Sequence, residues 1–285
     1  PKFIFSISKF KFHYKFGYKL VLSGLLDTIF KNIYNVLIGK NFSAQTLGFY
    51  ERSKQFSQYP SATFTGVISK VSYPALSQIQ DDPKRLEIIY RKLIRVSFFL
   101  IAPVMLGFAA IAEPLFLIIL GEEWIPAILF FQILSLAMML YPIHSFNLNI
   151  LQVYGRSDLF LKLEIIKKCI TTISVIIGFQ YGVLGLVWSS VFTSFAALGV
   201  NMFYSSKLIN YPIYKQIKDL NVTLVIAFFT AFIMYKITFV FSDSLNIVQI
   251  ILASFAGVFI YLSINYNIKT SPLHQVTSIL KTINQ

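Results

Sequence analysis

The stretch SATFTGVISKVSYPALSQIQ, Ser61 to Gln80, decides the fold. It carries too many hydroxyls, a lysine and a proline for an ordinary lipid-facing span. It is also too apolar and too regularly patterned for a loop. The chain around it settles the class. Of 285 residues, 56% are hydrophobic and only 13% charged, with 29 Phe and 16 Tyr, and the mean hydropathy is +0.67. Soluble domains of this size carry more charge. Uncharged windows near 17–39, 96–120, 127–150, 165–182, 183–204, 220–241 and 245–266 are each long enough to cross the hydrocarbon layer, which takes about 20 helical residues. The sequence predicts an all-α membrane protein, and the quoted stretch, near 57–79, is the eighth candidate span.

Charge decides whether that stretch crosses. With a cytoplasmic N-terminus and eight crossings, most of the 25 basic residues fall inside, including Lys9–Lys19, Lys84–Arg95, Arg156–Lys168 and Lys207–Lys218. The outer turns, LGEEW, FQYG and FSDS, are short and poor in positive charge. Laying the stretch flat on the surface moves most of these cations outside and breaks the positive-inside rule. So the stretch spans. Lys54, Gln58, Ser61, Thr65, Ser69 and Ser72 recur at helical spacing and share a face, opposite Phe64, Val67, Ile68, Val71 and Ala75. A polar stripe on a spanning helix must face protein or water. The expectation is a cavity lining that also includes Arg52 and Lys70, and the alternative is a stripe satisfied by neighbouring helices.

Other polar groups stand out within the membrane. Asp27 lies mid-span with Lys31 four residues on, a spacing that makes either a structural ion pair or a cation-coupling site. Ser145, Asn149 and Gln152 share a face, with His144 and Asn147 beside it, and Pro142 can break that helix. Amides both donate and accept, so they suit sugar hydroxyls as well as helix–helix bonding. Gly185, Ser189, Thr193, Ala197 and Asn201 recur every four residues as a packing seam. The basic and aromatic segment 1–15 and the tail 268–285 read as interfacial, with Ser271 as N-cap and Pro272 as first helical residue. No metal-ligand spacing, phosphate-cradling glycine loop or nucleophile–base pair is visible, so the chain reads as a non-enzyme without cofactor. The single Cys169 says nothing of redox compartment. The net charge of +13 is placed for membrane topology, not for nucleic acid.

Four segments together resemble a known family. LVLSGLLDTIFKNIYNVLIGKNFSAQTLGFYERSKQF, VSYPALSQIQDDPKRL, LGEEWIPAILFFQILSL and LNILQVYGRSDLFLKLEIIKK, in this order, resemble the C-terminal half of lipopolysaccharide/polysaccharide exporters of the colanic-acid-exporter type. These are members of the multidrug/oligosaccharidyl-lipid/polysaccharide exporter superfamily. The resemblance implies two helical bundles working by alternating access, with both ends of this segment cytoplasmic in a bacterial inner membrane. It implies that residues 16–210 are a six-helix second bundle, that 211–267 are two additional spans, and that about six helices precede Pro1. The implied activity is the flipping of a polyprenyl-pyrophosphate-linked oligosaccharide for surface polysaccharide synthesis. Arg52, Lys54 and Lys70 are then set against the pyrophosphate, and Asp27 with Lys31 against a coupling H+ or Na+. In some relatives a carboxylate on the fifth span of this bundle partners the first, but Glu164 reads as lying among lysines at the cytoplasmic end. Rival functions are a drug or organic-cation antiporter of the same superfamily, and a membrane-embedded polysaccharide polymerase or acyltransferase.

Overall fold

The computed structural model describes residues 7–283, and everything below concerns those residues. The chain is a series of antiparallel helices: α1 (Ile7–Asn41), α2 (Ala44–Gln78), α3 (Pro83–Ala110), the short α4 (Ala112–Ile119), α5 (Ile125–Met138), α6 (Tyr141–Val153), α7 (Ser157–Phe179), α8 (Gly182–Ser206), α9 (Ile213–Val240), α10 (Asn246–Asn267) and α11 (Ser271–Ile283). Six stretches are long and apolar enough to cross a membrane, with α5 and α6 together forming one of them. The helices α2 and α7 are too polar to count by composition. They are nevertheless 35 and 23 residues long, which at 1.5 Å per residue gives roughly 52 and 35 Å. Both pack among the apolar helices, α2 on α5 and α7 on α8, and both are long enough to span.

Local chemistry sets the helix ends. Ser43 caps α2 by accepting from the Thr46 amide (3.0 Å), and Asp82 caps α3 through the Arg85 amide (3.1 Å), with Pro83 just inside. The α7–α8 turn needs only Gln180 and Tyr181 before Gly182, whose φ of +69° a side chain would strain. The tail helix begins at Ser271, one residue earlier than the capping pattern predicts, and Thr270 bonds back to Asn265 (2.8 Å) at the turn before it. The side chains of Leu280 and Ile283 in the tail, and residues 1–6 of the basic N-terminal segment, lie outside the described residues.

Pro142 and Pro103 leave carbonyls without their usual amide. Pro142 removes the N–H that would reach Met138, so α5 gives way to α6 at Met139–Leu140, and the Ser61 hydroxyl of α2 donates to Met138 O instead (2.7 Å). Pro103 does the same to Phe99 within α3, and the Tyr261 hydroxyl of α10 donates to Phe99 O (2.9 Å). In hydrocarbon such orphans must find a partner, because water is absent.

The main core joins α3, α6 and α9 through Tyr90, Phe98, Met105, Phe146, Ile150, Leu220 and Ile226. A second joins α1, α2, α5 and α8 through Tyr34, Ile38, Tyr50, Leu134 and Val187. Helix α9 lies along α3, and α10 lies along α9. At the basic end this arrangement is tied by Asp219 of α9, which accepts from Arg91 (2.5 Å), Arg95 and Tyr211 (2.7 Å), while Arg95 also reaches Ser271 of α11 (3.3 Å). The tightest approach is between α7 and α8, where Gly178 faces Gly185 and Ser189.

Candidate functional site

The hydroxyl stripe of α2 divides into a buried part and a part near the open surface. Ser53, Ser57, Ser61 and Thr65 are buried against α5 and α6. Ser53 donates to Ala127 O (2.7 Å), Ser61 to Met138 O, and Thr65 back to Ser61 O (2.7 Å). The cavity role expected for Ser61 and Thr65 is therefore corrected: they form a helix–helix seam. Small hydroxylated residues allow backbones to approach closely and bond across the seam. Ser69 lies further along it, at the edge of hydrogen-bond range of Ser145 (3.5 Å). Asn149 Nδ2 and Ser72 Oγ are buried without a partner, and Gln152 is half-buried.

The open face of α2 lies elsewhere. Gln55, Tyr59, Thr63, Gly66 and Lys70 are all exposed and follow spacings of 4, 4, 3 and 4, one continuous helical face. Val67 and Val71, on the apolar face opposite the hydroxyl stripe, are exposed beside it at 59% and 73%.

That face leads into a polar pocket of ≈ 600 Å³ between α1 and α2, roofed by Trp124 from the turn before α5. Asn32, Asn35, Glu51, Arg52, Lys54, Gln55 and Gln58 line it. The Lys54 ammonium donates to Asn35 Oδ1 (3.2 Å) and lies 3.7 Å from Glu51. Arg52 donates to Gln55 Oε1 (3.1 Å) and stacks over the Trp124 ring, 5.6 Å from its centroid. Sequence spacing singled out Arg52, Lys54 and Gln58 here; Asn32, Asn35, Glu51 and Trp124 come together only in three dimensions. Lys70 is not part of this pocket. It lies 16 residues beyond Lys54, roughly 24 Å along the helix. One pyrophosphate cannot touch both, and the grouping of Arg52, Lys54 and Lys70 around a single group is corrected accordingly.

A second polar centre joins α1 to α7. Asp27 Oδ1 accepts from Lys168 Nζ (2.9 Å), and Lys168 lies 3.6 Å from Glu164, which also accepts from Lys167 (2.5 Å). The sequence pointed to Lys31 as the partner of Asp27; the structure supplies Lys168, and the Lys31 side chain lies outside the described residues. Glu164 does lie among lysines, and it is buried there; Lys168 links it to Asp27. Two carboxylates and two ammonium groups balance, as buried charges require. Nearby in the fold, His144 Nδ1 accepts from Asn201 Nδ2 (3.0 Å), which leaves its Nε2–H for Ser194 Oγ (3.2 Å). Asn147 accepts from Ser205. The α6–α8 interface is thus polar at its centre. No set of three or more His, Cys, Asp or Glu side chains that could hold a metal occurs among the described residues.

Comparison with known proteins agrees with this architecture. Residues 1–129 match a family described as "Polysaccharide biosynthesis protein". The chain is 24% identical over 202 residues to the succinoglycan biosynthesis transport protein ExoT of Rhizobium meliloti, covering 70% of this chain and 41% of that one. It is 23% identical over 187 residues to the lipopolysaccharide biosynthesis protein WzxC of Escherichia coli, covering 65% of this chain and 38% of that one. The fold matches the lipid II flippase MurJ in an inward closed conformation with a TM-score of 0.71 at 16% identity, over 94% of this chain and 57% of MurJ. The resemblance to polysaccharide exporters drawn from the sequence holds. The chain spans 25% to 41% of the length of the curated relatives it matches.

Proposed function

We propose that this chain is the second half of an exporter that flips a polyprenyl-pyrophosphate-linked oligosaccharide from the cytoplasmic to the outer leaflet, for assembly of surface polysaccharide or lipopolysaccharide. The observation that carries the reading is the open polar pocket and the exposed α2 face leading from it, set in a body whose remaining surface is dominated by apolar side chains. Each unpaired sugar hydroxyl costs roughly 4–8 kcal/mol on transfer from water to alkane. A glycan therefore crosses only where groups that donate and accept replace its water, while a polyprenyl tail stays in lipid. The similarity to a succinoglycan transport protein supports this chemistry, and the MurJ-like fold supports a bundle built to face a central cavity.

On this reading the partners are the lipid-linked oligosaccharide, membrane lipids and an upstream bundle that completes the cavity, not nucleic acid. Both ends of the segment lie in the cytoplasm of a bacterial inner membrane, the side the positive-inside rule assigns to the basic end. Coupling to an H+ or Na+ gradient would run through Asp27 and its partners Lys168 and Glu164, since a charge crossing a 100 mV field gains about 2.3 kcal/mol. Depleting the intact protein in its own cell tests the reading. The lipid-linked oligosaccharide should accumulate on the cytoplasmic leaflet, inaccessible to a periplasmic glycan-modifying enzyme, with loss of surface polymer. Full accessibility with unchanged polymer would reject it.

A further inference from the structure

We propose that the Trp124-roofed pocket is a saccharide subsite that receives the leading, non-lipid end of the glycan while the pyrophosphate stands near Lys70; this rests on the transport reading above. The lining is chemically mixed. Asn32 Nδ2 already donates to Thr28 O (2.9 Å), and Asn35 Oδ1 and Gln55 Oε1 accept from Lys54 and Arg52. Each amide still keeps a second N–H and a second lone pair, Gln58 adds another amide, Glu51 an acceptor, and Trp124 an aromatic wall. Sugar hydroxyls need such paired capacity, because each one donates and accepts, and the C–H faces of a pyranose lie well against an indole. A pyrophosphate needs free cations instead. Here both cations are already engaged: Lys54 by Asn35 and Glu51, and Arg52 by Gln55 and the Trp124 ring. Their charges and that of Glu51 leave a net +1 (two cations minus one carboxylate), which tolerates an acidic sugar without demanding a phosphate.

Geometry fixes the direction. The pocket volume of ≈ 600 Å³ falls within the roughly 300–1,000 Å³ typical of small-molecule sites. The exposed face Gln55–Tyr59–Thr63–Gly66–Lys70 runs continuously from it toward the basic end of the molecule. A Cβ added at Gly66 would meet nothing within 4 Å, so nothing within the described chain covers that path. Lys70, roughly 24 Å from Lys54, is the exposed cation at its far end, and it lies toward the side from which the substrate enters. A substrate entering there presents its glycan first, and its charged head follows.

The test uses the intact protein in nanodiscs with Trp124 as its single tryptophan. One probe is the oligosaccharide released by mild acid from the cell's own lipid-linked intermediates, which carries neither lipid nor pyrophosphate. The other is inorganic pyrophosphate. The oligosaccharide should change Trp124 emission saturably, and pyrophosphate should not. Gln55→Ala and Asn32→Ala remove exposed side chains, so folding is kept; each should weaken saccharide binding roughly tenfold, the loss of one good hydrogen bond. Saturation by pyrophosphate alone, or by neither probe, overturns the subsite. A null titration alongside cytoplasmic accumulation on depletion removes the subsite and leaves transport standing, whereas failure of the depletion assay removes the transport reading itself.

Discussion

Replacing Gly178 with alanine should damage the fold more than the same change at Gly257, although both lie inside helices and both look crowded. A Cβ at Gly178 would sit 2.6 Å from Gly185 O, 3.0 Å from Gly185 C and 2.8 Å from Ser189 Cβ, all on α8. Two of these are backbone atoms, which cannot turn aside. Reaching even the short end of ordinary C···O contact, about 3.3 Å, requires α7 and α8 to part by roughly 0.7 Å. The separation would disturb the Ser189 bond to Tyr34 (3.3 Å), which ties α8 to α1. Overpacking of this kind costs typically 1–3 kcal/mol, and alanine recovers about 1 kcal/mol of helix propensity. A net loss of up to about 2 kcal/mol is expected, at most roughly a 30-fold change in the folded-to-unfolded ratio. At Gly257 the obstacle is only the Met234 side chain, its Sδ nearest, its Cγ 2.9 Å and its Cε 3.3 Å away. Methionine has three rotatable bonds and moves at little cost, so Gly257→Ala should stay within about 1 kcal/mol of the parent. Reversible SDS unfolding of the intact protein, followed by tryptophan emission, reads both. Equal stability of the two variants would refute the reasoning that backbone contact, not crowding as such, sets the cost.

The orphaned carbonyls give a matched pair: Ser61→Ala and Tyr261→Phe should each lose about 0.6–1.7 kcal/mol, the range measured for interhelical hydrogen bonds in membranes, in the same unfolding assay. Asp219→Asn should cost about 3 kcal/mol, because it leaves Arg91 and Arg95 facing each other without their shared carboxylate; a melt unchanged from the parent would show the clamp to be idle. In a proteoliposome flipping assay Asp27→Asn should abolish dependence on an imposed gradient while the protein stays folded, and the exchange Asp27→Lys with Lys168→Asp should restore assembly without restoring coupling. A gradient response unchanged in Asp27→Asn removes this cluster from coupling.

The all-α class and the apolar spans were legible in the sequence, because length and hydropathy act locally and additively. Whether the α2 stripe would line water or meet a neighbouring helix was not. A polar stripe on a spanning helix turns away from lipid in either case. Val67 and Val71 accordingly remain outside while Ser53, Ser57 and Ser61 pack inside, since small hydroxyls bring backbones together and bond to their carbonyls. Periodicity showed that these residues share a face, but not what that face would meet. The pairing of Asp27 with Lys168 was hidden for a different reason. The spacing to Lys31 is visible within one helix, while Lys168 lies 141 residues away and meets Asp27 only through the packing of α1 on α7. Pro142, by contrast, announced the α5–α6 break directly, because the missing N–H belongs to the residue itself.

The two carbonyls released by proline differ in how long each must wait during synthesis. When Met138 enters the membrane, Ser61 is already there, so its bond can close as soon as α5 and α6 arrive. Phe99 is made 162 residues before Tyr261. At about 5–20 residues per second, that acceptor stands open for roughly 8–32 s. Over that interval α3 carries an exposed polar point on the side later covered by α10. A chain stalled before residue 261 would keep that point open, and membrane quality control could use it to tell an unfinished chain from a completed one.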